Sequence, residues 1–422
     1  MSAYSAPLTR TRNGIVTTFI GGNTSGDSIH AIKQWLKLPI LPAVDPAHVQ
    51  SILCDILVTH RDEIAAAAAH ETGSPIAHHL DDIDTALEYI STFTLPATSR
   101  VRLDPKGRTF INLSANEPII IAVFMIATGL LTNNRVLVKP SSKSPWVSHF
   151  IIKKVYEAGI DASRIAWCYV GPDDMAELIK SKTIDNVISF GSYKVNNTLR
   201  AQCAHSQVEF HGESEGNDWV YIDKDIPISL SELVGWLVEG LTRHNGQMCD
   251  SIKGLLIHEE RYQEISELLM ARLDQLIVGG AEAKLTQIAT TPVDIYEGMF
   301  SSYACTMYAD GAKGRMVTNP DGDLMSTPHF GLVAWMRPVE AIDEAIELYD
   351  AFNKHGVAFS VISGNHSVTQ KTIEYVRAAR ININANPVDV ASSSMWGGVR
   401  RSGQGGAFHW WERFTNRKVI NE

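Results

Sequence analysis

Cys249 stands in the run Arg243-His244-Asn245-Gly246-Gln247-Met248-Cys249-Asp250-Ser251, and Glu209 stands upstream in Val208-Glu209-Phe210-His211-Gly212. A cysteine thiolate can attack a carbonyl carbon and split one hard step into two easier ones through a covalent intermediate. A carboxylate such as Glu209 could act as general base on the thiol or on a water. Backbone N–H groups near such a loop would lower the thiol pKa and hold an oxyanion. The plainer readings make Cys249 a small buried hydrophobe and Glu209 a strand-end member of an ion pair.

The flanking pattern favours a loop held between packed elements. Residues 230–242 read as an amphipathic helix, with Leu233, Trp236, Leu237 and Leu241 at helical spacing and Ser229 and Glu232 spaced as a capping box. Residues 253–257 form a short apolar run, read as a buried strand. Catalytic residues tend to sit on loops held by such a scaffold.

Upstream, short apolar runs alternate with helical patterns. Residues 119–124 and 135–138 are strand candidates; the second ends at Lys139-Pro140-Ser141-Ser142. Further strands are expected at 165–170 and 186–190, the latter turning through Gly191-Ser192 into a helix. This alternation predicts an α/β fold with a doubly wound parallel sheet, whose ligands bind at the carboxyl ends of the strands. Lys139 and Gly191-Ser192 fall there. Residues 101–113, with Asp104-Pro105-Lys106-Gly107 at the centre, read as a hairpin. The glycine cluster at 21–26 lacks a preceding strand and GxGxxG spacing, so it reads as a linker. His78, His79, Asp81, Asp82 and Asp84 read as a solvated helix face rather than a metal site.

At 422 residues the chain exceeds a single core, so two or three domains are expected. A net charge of −10 without a basic block argues against nucleic acid as a partner. Five scattered cysteines without CxxC spacing suit free thiols in a reducing, cytoplasmic setting. No run approaches the ~18 apolar residues of a membrane span.

Gly246-Gln247-Met248-Cys249 resembles the nucleophile motif of the aldehyde dehydrogenase superfamily, and Val208 to Gly212 resembles its strand-borne glutamate motif. Val138-Lys139-Pro140-Ser141, Ile188-Ser189-Phe190-Gly191-Ser192, Phe330-Gly331 and Trp396-Gly397-Gly398-Val399-Arg400-Arg401-Ser402-Gly403 are similar to its other motifs, in the same order. The resemblance implies Cys249 as nucleophile and Glu209 as base, with NAD or NADP bound by Lys139, Ser141, Ser142, Gly191, Ser192 and Phe330. It also implies a homodimer or homotetramer. Residues 1–98 and 117–207, with 385–412 returning, are then expected to form a cofactor-binding domain. Residues 99–116 and 413–422 would form an oligomerisation hairpin and tail, and 208–384 a catalytic domain.

Three departures from the superfamily pattern stand out. The Trp-Asn-Phe-Pro element is replaced by Ser114-Ala115-Asn116-Glu117-Pro118 in a segment read as a dozen residues shorter, which resembles the fatty acyl reductase branch and makes Asn116 an oxyanion or cofactor contact. Pro328 stands where a glutamate normally holds the nicotinamide ribose. Ser142 and Lys143 stand near the usual ribose-binding acid, which admits NADP. The pattern slightly favours reduction of an acyl thioester, on CoA or acyl carrier protein, to an aldehyde. The alternatives are oxidation of an aldehyde to a carboxylic acid and a catalytically silent homologue.

Overall fold

Residues 28–39, 42–96, 100–276, 278–279, 288–289, 305–308, 314–388 and 394–420 are described by a computed structural model. The glycine cluster at 21–26 lies outside them, as does most of 284–323, for which the sequence pattern is mixed.

Four helices open the described chain: α1 (Ser28–Leu36), α2 (Pro46–Thr59), α3 (Arg61–Thr72) and α4 (Ile76–Thr92). Strand β1 (Val101–Pro105) and β2 (Arg108–Asn112) follow, then α5 (Pro118–Leu131), β3 (Arg135–Lys139), α6 (Trp146–Glu157) and β4 (Ile165–Trp167). Next come α7 (Pro172–Lys180), β5 (Asn186–Phe190), α8 (Tyr193–Ser206) and β6 (Glu209–Glu213). Five of these strands form an all-parallel sheet in the order β4-β3-β2-β5-β6. The chain winds outward from β2 through β3 to β4, then crosses to β5 and β6. Its switch point lies between the carboxyl ends of β2 and β5, where such sheets form a ligand crevice.

The second half comprises β7 (Asp218–Ile222), α9 (Leu230–Thr242), β8 (Ile252–His258), α10 (Glu259–Asp274), β9 (Val278–Gly279), β10 (Ile288–Ala289), β11 (Cys305–Tyr308), β12 (Gly314–Thr318), β13 (Val333–Val339), β14 (Ala358–Ile362) and β15 (Arg380–Ile383). Seven strands form a sheet in the order β11-β12-β13-β8-β7-β14-β15, parallel except for β11 against β12. Each sheet is covered on both faces by apolar clusters, as doubly wound sheets require. The expected doubly wound α/β fold with parallel sheets is therefore present.

Three local expectations fail. Residues 119–124 are not a strand: α5 is one continuous helix with thirteen of its fourteen residues buried. Pro118 occupies its first turn, where a missing N–H costs nothing. The segment before β3 is thus a complete helix and not a shortened connection. Residues 101–113 are not a hairpin. β2 is a buried central strand between β3 and β5, and β1 pairs antiparallel with β16 (Thr415–Val419). Finally, β6 belongs to the first sheet, so the second half begins after Glu213 and not at 208.

Candidate active site

A cavity of about 360 Å³ opens at the switch point, lined from both sheets. Ser114, Asn116 and Glu117 enter from the end of β2 and the start of α5. Phe190, Gly191 and Ser192 enter from the end of β5, Glu213 from the end of β6, and Cys249 from the loop before β8. Phe330, Pro328, Trp396 and Trp410 close it. Cys249, Asn116, Gly191, Ser192 and Phe330, separated in sequence, are thus brought together.

Glu209 is not among them. It opens β6 opposite Asn186, whereas Glu213 ends it opposite Phe190. Four strand residues carry the chain roughly 13 Å, from the wrong end of the sheet to the cavity. Glu209 is half-exposed, ion-paired with Lys106 and hydrogen-bonded to His211 at 2.9 Å. Burial would raise its pKa, but His211 and Lys106 pull it down to about 2. Glu209 is therefore the strand-end member of an ion pair, and the carboxyl that shares the cavity with Cys249 is Glu213.

Sequence reasoning missed Glu213, although a signal was there. Glu-x-x-Gly occurs twice in succession, as Glu209 to Gly212 and as Glu213 to Gly216. Packing separates them: a Cβ on Gly216 would lie 1.9 Å from the Cys249 carbonyl oxygen. The second copy is therefore the one seated under the loop that carries Cys249.

That loop is held in a strained form. His244, Asn245 and Gly246 have φ of 49°, 57° and 67°, three consecutive left-handed residues. Each is pinned. His244 N–H donates to His78 Nδ1 at 3.0 Å and its ring is 3.1 Å from Asp82. Asn245 Nδ2 donates to Gly73 O at 2.9 Å, and Lys253 Nζ donates to Gly246 O at 2.7 Å. His78, His79 and Asp82 are buried beneath the loop, so the expected solvated helix face is wrong for these three. Asp81 and Asp84 are the partly exposed members of that cluster. Burial acts to raise the Asp82 pKa, yet His244 and His79 hold it well below the usual range.

The thiol is not activated at rest. Burial pushes the Cys249 pKa well up, and Glu117, Asp250 and Asp218 push it further, against Arg380 alone. The backbone N–H groups expected to lower it are not among these influences. Glu213 is likewise raised by burial, opposed by Arg413 and a hydrogen bond from Gly398 N–H. Glu117 is raised by burial and by Asp250 and Asp82.

The remaining expected contacts lie beside the cavity. Lys139 ends β3 and donates to Asn112 Oδ1 at 3.0 Å; Asn112 in turn donates to Ser189 Oγ at 3.0 Å. Ser141 accepts from Lys143 N–H at 3.2 Å, and Ser142 is exposed. None of Lys139, Ser141 and Ser142 lines the cavity itself. At the start of α8, Ser192 caps the helix and Tyr193 N–H donates to Glu215 Oε2 at 2.7 Å. A carboxylate held by a helix N-terminus shows that this end attracts anions, as a dinucleotide pyrophosphate requires. The crevice fits such a cofactor provided Glu215 swings aside.

A family model for the aldehyde dehydrogenase family matches residues 30–293 and 316–420. Similar proteins include vanillin dehydrogenase of Amycolatopsis sp., 26% identical over 341 residues, covering 74% of this chain and 67% of that protein. The α-ketoglutarate semialdehyde dehydrogenase of Haloferax volcanii is 22% identical over 389 residues, covering 82% and 79%. Among solved structures, an NAD-dependent aldehyde dehydrogenase from Sinorhizobium meliloti superposes with a TM-score of 0.81 at 20% identity, covering 93% of this chain and 85% of that one. The chain belongs to the aldehyde dehydrogenase family and is an NAD(P)-dependent oxidoreductase acting on an aldehyde or acyl group.

Proposed function

We propose that the protein oxidises an aldehyde to a carboxylic acid through a thioester on Cys249, with Glu213 as general base. The observation that carries this reading is the single cavity holding Cys249, Asn116 and Glu213 next to the Gly191-Ser192 turn. Cys249 Sγ bonds to the carbonyl carbon as its proton passes to the Glu213 carboxylate, which releases it to solvent, and the oxyanion is held by Asn116 Nδ2. When bound, the nicotinamide supplies the hydride acceptor. Glu213 then takes a proton from a water that attacks the thioester carbon. The acid leaves and the thiol is restored.

Lys139, Ser141, Ser142, Gly191, Ser192 and Phe330 are the proposed dinucleotide contacts. Exposed Ser142 and Lys143 place no carboxylate against a 2′-phosphate, which leaves NADP as well as NAD acceptable. Acyl-thioester reduction is the second reading, supported by the Asn116-Glu117-Pro118 pattern and the Lys139-Pro140-Ser141-Ser142 run, but not by a break before β3, where α5 is a continuous helix. The β1–β16 ribbon, with Val419 65% exposed, supports a homodimer or homotetramer built on that edge. Four unpaired cysteines among the described residues support a cytoplasmic setting.

The test is the intact mass of the protein after incubation with aldehyde and NAD or NADP. Glu213→Gln should accumulate an acyl adduct on Cys249 and lose at least ~100-fold in steady-state rate, while Glu209→Gln turns over normally. Unimpaired acid production by Cys249→Ala would reject the covalent route.

A further inference from the structure

The cavity around Cys249 has a charge pattern that oxidation of a plain aldehyde does not require. Its bearing on substrate choice rests on the aldehyde oxidation proposed for Cys249. Among the described residues the lining holds three carboxyl groups, those of Glu117, Glu213 and Glu215, and no lysine, arginine or histidine. Two of the three are engaged by backbone: Glu215 by Tyr193 N–H and Glu213 by Gly398 N–H. Glu117 is different. It is 5% exposed and accepts one side-chain hydrogen bond, from Asn116 Nδ2 at 3.1 Å. Among the described residues it forms no ion pair, and Arg243, whose charge acts on it, is itself paired with Asp81 and Glu239.

A buried carboxyl without a counter-charge keeps its proton, and a cation entering beside it lets that proton go and pairs with the carboxylate. Ile120, Ile121 and Phe124 of α5 share the wall with Glu117, and Phe330, Trp396 and Trp410 face them. Aromatic faces attract alkylammonium groups and offer nothing to a carboxylate. We propose that the site takes aldehydes carrying an alkylammonium group a few bonds from the carbonyl, with Glu117 as the residue that selects them. An aldehyde with an anionic tail finds no lysine, arginine or histidine among the described residues of this lining.

Three aldehydes of similar reach separate these cases: 4-(trimethylammonio)butanal, its carbon isostere 5,5-dimethylhexanal, and 4-oxobutanoate. With the full chain and saturating cofactor, kcat/KM should be at least tenfold higher for the cation than for the isostere, and lowest for the anion. Glu117→Gln should bring the cation-to-isostere ratio to about one. If that variant does not fold, the ratio in the wild-type protein still decides, because a ratio at or below one overturns the proposal. A high ratio that survives in a folded Glu117→Gln protein overturns it equally. Turnover of none of the three with either cofactor would sink the aldehyde oxidation proposed for Cys249, whereas turnover without charge preference sinks only the selection by Glu117.

Discussion

On the proposed route the Cys249 thiol, held neutral chiefly by burial, must lose its proton before it attacks. Glu213, raised by burial, must also be ionised to serve as base. Both requirements act in one direction, so kcat should climb with pH from 6 through 9; a pH-independent rate would mean that neither group titrates in the slow step. Glu215 yields a separate prediction at this scale. Its carboxylate occupies the Tyr193 N–H at the start of α8, where the cofactor pyrophosphate needs free donors. Replacing Glu215 with Gln removes a charge interaction with a helix end worth about 1 kcal/mol, which corresponds to roughly fivefold. The dissociation constant for NADH, read by fluorescence titration, should therefore fall by about that factor. An unchanged constant would show that Glu215 already swings clear at no cost.

Among the elements, the loop from His244 to Cys249 depends on what lies beneath it. Gly216 lies so close to the Cys249 carbonyl that any side chain there must displace Cys249. A shift of about 1 Å in a reacting atom costs on the order of 100-fold in rate. Gly216→Ala should lose about that much in kcat while keeping most of its thermal stability, and activity near the parent value would mean that the loop relaxes freely. The helix before this loop, the strand after it and the alternating first half were legible because their apolar spacing is regular. α5 was not. A helix buried on all sides has no polar face, so Ile119-Ile120-Ile121-Ala122-Val123-Phe124 carries no periodicity and mimics a strand. β2 escaped for a related reason: the turn at Lys106-Gly107 looks local, but β1 leaves to meet a partner three hundred residues away in sequence. The doubled Glu-x-x-Gly could be resolved only by knowing which end of β6 meets the crevice.

At the scale of the whole molecule, the seam between the two sheets gathers buried acid from both sides. Glu117 and Glu213 come from the first half, Asp218 from the second, and burial raises all three well above ordinary values. Such groups keep their protons in the folded chain and lose them near 4 when it unfolds. Their stabilising contribution is therefore complete below the unfolded pKa and is lost as pH rises toward the folded one. His149, His329 and His355 act oppositely, since burial lowers each from 6.5 to about 4. Their contribution is lost as pH falls from 6.5 to 4 and is constant above it. Between about 4.5 and 6.5 the two sets offset one another. Above 7 the histidines contribute no slope. Lys253, lowered by burial to about 7, opposes the three carboxyls from that pH upward, and Lys106 and Lys139, lowered in the same direction, join it only as pH nears their own folded values. The melting temperature should thus be nearly level from pH 5 to 6.5 and decline from 7 to 9, with a shallower decline in Glu213→Gln, which has no proton to lose there. A melting temperature that rose over 7 to 9 would mean that these carboxyls are already ionised in the folded seam, and that Glu213 needs no activation to act as a base.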